Sequence, residues 1–135
     1  MYQLGNLMGI LTTLLFGLAL MNFVIKWGNR KWIAKLPKES KFKQGYTSVM
    51  KFLVKNHRFF GLGAAALLIA HIALQLAFKW VSVTGIVAAV LAMAAGALGG
   101  ALFRSKRRSP ALLWAHRGAA IALILAIAAH VITRI

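Results

Sequence analysis

The chain has 135 residues, 61% of them hydrophobic, and a mean hydropathy of +0.76. Its 17 Lys and Arg stand against one acidic residue, Glu39, for a formal net charge of +16, and it has no cysteine. That composition argues against a soluble globular domain, and it excludes disulfides, thiolate ligands and iron–sulfur clusters.

Four apolar runs have the length of about 20 residues that crosses a bilayer core. They are residues 4–27, 59–79, 83–103 and 112–133, and they leave no room for a separate soluble domain. The first run is too long to be a removed signal peptide and lacks a basic leader and a small-residue cleavage site. It carries one lone polar group, Asn22, suited to a bond with a neighbouring helix or with a ligand. Residues 29–56 form the longest polar stretch, broken at Pro37 and at Lys38, Glu39 and Ser40. From Phe42 onward, Phe42, Tyr46, Val49, Met50, Leu53 and Val54 recur at helical spacing with Lys43, Lys51 and Lys55 between them. The pattern predicts an amphipathic helix at the membrane interface or an extension of span two. A short turn with Ser82 or Thr84 as helix cap leads into span three, which is rich in glycine and alanine. Residues 104–110 form the second basic connection, and span four follows. Trp27, Trp32, Trp80 and Trp114 fall at predicted interfaces, as aromatic belts do.

The cations are sorted by connection. Ten lie between Lys26 and Arg58, five between Arg104 and Arg117, and only Lys79 and Arg134 remain for the other side. The positive-inside rule then places both basic connections in the cytoplasm and both termini outside. The expected fold is all-α: one transmembrane four-helix bundle over residues 1–135, in a bacterial inner membrane. The basic face would attract anionic lipid headgroups. This sorting accounts for the charge without nucleic acid, for which no recognition motif is present.

The four histidines form two pairs of equal spacing, His57 with His71 and His116 with His130. Fourteen residues of helix rise about 21 Å in nearly four turns, so both members of a pair project from one face at two depths. Spans two and four share a pattern: His-Arg, then glycine, an alanine–leucine–isoleucine body, and a second histidine. Running parallel, they would level His57 with His116 and His71 with His130. A histidine in hydrocarbon is costly without a partner. Two facing imidazoles suit the axial positions of a low-spin haem iron. Without cysteine such haem is non-covalent b-type, and two haem b fit the four ligands. Gly61, Gly63, Ala64, Gly118 and Ala119 near the inner histidines, with Ala126, Ala128 and Ala129 near His130, would admit the macrocycles. Gly96, Gly99, Gly100, Gly9 and Gly17 are expected to face them from spans three and one. Arg58 and Arg117 are expected to meet the propionates of the inner haem, and Lys79, Arg134 and Gln75 those of the outer one. Each of these cations equally suits an interfacial anchor.

The paired histidines on two parallel helices, with glycine nearby, resemble the dihaem core of cytochrome b and b6. Ferric-reductase-like membrane domains are similar, and bacterial cytochrome b561-type proteins more loosely so. The resemblance covers spans two and four. It implies transmembrane electron transfer, often to or from a quinone, with a separate redox partner protein. The quinone-site motifs of full cytochrome b are missing, and so are flavin and nicotinamide domains. Three other expectations stand beside it: quinol or superoxide oxidation at one face, a non-redox membrane anchor whose histidines pack, and a divalent-metal transporter. With Glu39 outside every span, no carboxylate is available for a proton relay. The simple alanine–leucine–glycine composition also suits a designed protein built on the same ligand logic.

Overall fold

The computed structural model describes residues 2–78, 82–105, 107 and 109–133. It is all-helical: α1 Tyr2–Lys31, a 3-10 turn Ile33–Lys35, α2 Lys41–Phe78, α3 Val83–Arg104 and α4 Pro110–Ile132. All four α-helices are long and apolar enough to cross a membrane. Large apolar side chains point outward along them, among them Ile69 at 69% exposure and Leu125 at 67%. Water would penalise such a surface, whereas lipid tails match it.

At α2 the structure takes the second of the two readings, an extension of span two. The amphipathic stretch and span two form a single helix of 38 residues. At 1.5 Å per residue it is about 57 Å long, nearly twice the thickness of a hydrocarbon core. No proline interrupts residues 41–78, and Ser48 and Asn56 bond to the carbonyls of Gln44 and Phe52 within the helix, so nothing breaks the amide ladder where the hydropathy changes. α3 opens on Ser82, whose Oγ accepts the Gly85 N–H at 3.1 Å. α4 opens on Ser109, followed by Pro110, whose missing N–H costs nothing at that position.

Contacts divide the chain into two compact units, Met1–Gly9 with Ala65–Ile135, and Ile10–Ala64. In the second unit α1 and α2 run antiparallel. Tyr46 donates its hydroxyl to Ile25 O at 2.9 Å, and a Cβ at Gly63 would lie 3.1 Å from Leu15 Cδ1. Thr12 and Ala64 are buried there. In the first unit α3 packs along α4, burying Ala88, Ala92, Ala95 and Leu123. No described glycine has a positive φ, so glycine serves close approach here and not chain reversal.

Near the basic end of α1, Trp27 and Trp32 meet edge to face at 4.9 Å, with the Lys31 ammonium over both rings. Such an aromatic and cationic cluster suits headgroup depth. Trp80, expected at the opposite interface, lies outside the described residues.

Gly28 is the tightest glycine of the second unit: a Cβ there would sit 2.6 Å from Tyr46 Oη. Gly28→Ala should therefore displace the phenol and lose its bond to Ile25 O, offsetting the gain in helix propensity. In a Tyr46→Phe background the same change should be more favourable by about 1 kcal/mol. Thermal unfolding of the four proteins in detergent checks this, and equal effects in both backgrounds would refute the contact.

Candidate functional site

A half-buried imidazole in an apolar helix must satisfy its N–H, and each histidine here does so on the helix preceding its own. His57 Nδ1 lies 3.0 Å from Ala19 O, and His71 Nδ1 lies 2.9 Å from Gly5 O, both on α1. His116 Nδ1 lies 3.0 Å from Ala95 O on α3. A carbonyl can only accept, so in these three residues Nδ1 carries the hydrogen. In the neutral ring the lone pair then resides on Nε2, the nitrogen a metal would use.

His130 differs. Its Nδ1 lies 3.1 Å from Thr84 Oγ1 and 3.3 Å from Ser82 Oγ. Thr84 Oγ1 also lies 3.4 Å from Thr133 Oγ1, and Thr133 donates to His130 O at 3.2 Å. Hydroxyls both give and accept, so this cluster serves either tautomer.

The contacts follow one register. Ala19 and Gly5 on α1 are fourteen residues apart, as are His57 and His71 on α2. His116 and His130 follow His57 and His71 by fifty-nine positions, and Ala95 follows Ala19 by seventy-six. The same offsets carry buried Thr12 to buried Ala88, and buried Ala64 to buried Leu123. The likeness read between spans two and four thus extends to the helices that hold them. Continued to His130, the register points to Val81, outside the described residues, and the hydroxyls of Ser82 and Thr84 lie next to that place.

Glycine seats three of the rings. A Cβ at Gly9 would lie 3.0 Å from His71 Cε1; at Gly99, 3.2 Å from His116 Cε1; at Gly85, 3.2 Å from His130 Cε1. Gly9 and Gly99 come four residues after the carbonyls that accept from these histidines. In a helix the side chain at that position shields the carbonyl one turn earlier, so its removal opens the oxygen to a second donor. Gly9 and Gly99, read from the sequence as candidates to face a macrocycle, have an imidazole as their nearest neighbour. At Gly61, Gly96, Gly100, Gly118 and Gly17 a Cβ would meet nothing within 4 Å; all but half-buried Gly61 are exposed.

The Arg58 guanidinium lies 5.5 Å from the Phe59 ring centroid, and that of Arg117 lies 5.2 Å from the Trp114 ring. Each arginine following an inner histidine is therefore stacked on its own helix, a geometry that suits an interfacial anchor. Gln75 lies against Gly5, where a Cβ would be 3.9 Å from its Nε2. Lys79 and Arg134 lie outside the described residues. Asn22 Oδ1 is buried and has no hydrogen-bond partner in the structure. Among the described residues, no three His, Cys, Asp or Glu side chains gather as a metal cage would require. Axial ligation of haem needs only two imidazoles.

Comparison of the chain with family models, with curated proteins and with solved structures finds no match.

The glycine seats can be tested against the open glycines. Gly9→Ala and Gly99→Ala should each destabilise the protein by about 1–2 kcal/mol by pushing an imidazole off its carbonyl. Gly61→Ala and Gly118→Ala should be neutral or stabilising by up to about 1 kcal/mol. Unfolding in detergent measures both sets, and His71→Ala should abolish the penalty of Gly9→Ala.

Proposed function

We propose that the chain is a dihaem b-type membrane cytochrome that carries electrons between the two faces of a bilayer. His71 and His130 would hold one haem and His57 and His116 the other, the pairing resting on their matched spacing in sequence. Both basic connections would lie on the cytoplasmic side and both termini outside, as the sorting of charge suggests.

The observation that carries this reading is the hydrogen bond from Nδ1–H to a backbone carbonyl, made alike by His57, His71 and His116. It fixes the ring plane, selects the tautomer with its lone pair on Nε2, and raises the basicity of that nitrogen. The residues fit a haem in two further respects. The space open beside half-buried Gly61, one turn after His57, suits a flat macrocycle there. The buried, unpartnered amide oxygen of Asn22, three residues after Ala19, can still accept one hydrogen bond. A bound haem supplies a one-electron couple. The protein's part is to hold the imidazoles, exclude water with apolar helices and present cations at the membrane surface. Arg58 and Arg117 would then alternate between their aromatic stacks and the propionates.

A second reading has the same observation in its favour. The four imidazoles tie helices together, and an anchor subunit could use them for that alone. The colour of the purified protein separates the two. The dihaem reading requires sharp low-spin bands and two haems per chain. One haem or none would sink it. His71→Ala or His130→Ala should remove one of the two and leave helical content unchanged, as judged by pyridine haemochrome assay and circular dichroism. Loss of both haems from a folded single variant would refute the pairing.

A further inference from the structure

The connection between α1 and α2 contains a cluster that the histidine chemistry does not use. Ser40 Oγ accepts the Lys43 N–H at 3.4 Å and caps α2. Lys43 turns back, its Nζ donating to Leu36 O at 2.6 Å and Ala34 O at 3.1 Å. Gln44 Nε2 donates to Lys38 O at 3.4 Å. These bonds hold residues 34–38 against the first turns of α2. They shape a cavity of about 310 Å³ lined by Lys38, Lys43, Gln44, Thr47, Ser48 and Lys51.

The lining consists of three ammonium groups, one amide and two hydroxyls. Lys43, Gln44 and Ser48 each donate to a backbone carbonyl, so the donors that face an incoming anion come chiefly from Lys38, Lys51 and Thr47. Gln44, Thr47, Ser48 and Lys51 recur at helical spacing, so they share one face of α2. The helix starts with Lys41 and Lys43 and has no acidic residue in its first turn, although the dipole favours negative charge there. Glu39, the one carboxylate of the chain, is exposed and is not part of the lining. Close cations at a helix N-terminus repel each other and the dipole, and a bound anion relieves both.

Depth identifies the anion. Tyr46, on the same turns of α2, bonds to Ile25 beside Trp27, and the pair Trp27 and Trp32 sits where an interfacial belt would. Beyond Lys51, Phe52 and Phe59 stand 59% exposed along the helix toward its membrane span. A phosphate with acyl chains attached would find donors in the cavity and an apolar path beside it. We propose that this cavity binds the phosphate of an anionic phospholipid headgroup. The proposal is independent of haem.

The test uses the full chain in detergent with equal amounts of dioleoylphosphatidylglycerol and dioleoylphosphatidylcholine, bound lipid being counted by native mass spectrometry. Phosphatidylglycerol should be retained in preference. Lys38→Gln with Lys51→Gln should weaken its retention about tenfold or more, given the contribution of each basic residue near an anionic headgroup. Lys35→Gln with Lys55→Gln removes the same charge from outside the cavity and should have much less effect. Equal loss in the two double variants would overturn the site in favour of diffuse attraction. Equal retention of both lipids would overturn the anion, and displacement of phosphatidylglycerol by low-millimolar inorganic phosphate would overturn the headgroup as its source.

Discussion

The arrangement of these helices depends on how an imidazole is satisfied where water is absent. A histidine in hydrocarbon brings one N–H that must find an acceptor, and the backbone of the preceding helix is the nearest source. Helical carbonyls already accept one amide, but an oxygen has a second lone pair. His57, His71 and His116 all use it. The bond demands close approach of two helices, and the glycines at Gly9 and Gly99 make that approach possible. Register, ring orientation and tautomer thus follow from one contact type, repeated.

In membranes such bonds between helices contribute only about 0.6 kcal/mol on average, because a polar group in the unfolded state also finds partners. Fastening alone is therefore a modest reason to keep four histidines in apolar spans. Their greater effect is directional. With Nδ1 committed as a donor, three rings present Nε2 with one chemistry. His130 obtains the same contact from Thr84 and Ser82, whose hydroxyls leave its tautomer open. A ligand at that position would settle the proton on Nδ1 by claiming Nε2, whereas at the other three the backbone has already settled it.

Much of this was legible in the sequence. Length and apolarity located the four helices, and the spacing of fourteen exposed the paired histidines and the likeness of spans two and four. The matching relation between α1 and α3 was not legible, because the groups on those helices that hold the rings are carbonyls. A backbone carbonyl leaves no trace in residue identity: Ala19, Gly5 and Ala95 do the same work. The trace that does exist is glycine four residues after two of the acceptors, Gly5 and Ala95 (Phe23 follows Ala19), and it reads equally well as ordinary small-residue packing until the imidazole is in place. The extent of α2 was legible as one of two readings, because the amphipathic pattern fits an interfacial helix and an extension of span two alike. Hydropathy changes near residue 58, but helix formation depends on an unbroken amide ladder, which no residue between 41 and 78 interrupts.

The continuous α2 carries two chemistries. His57 lies about two-fifths of the way along it and His71 about four-fifths, and its first turns carry the lysine-lined cavity. The Lys43 bonds to Ala34 and Leu36 fix the connection against that start, so an anion bound there would bear on the same helix that orients two imidazoles. Six residues, less than two turns, separate Lys51 from His57. An anion held by Lys38 and Lys51 would therefore act within two turns of an imidazole that the backbone of α1 already orients.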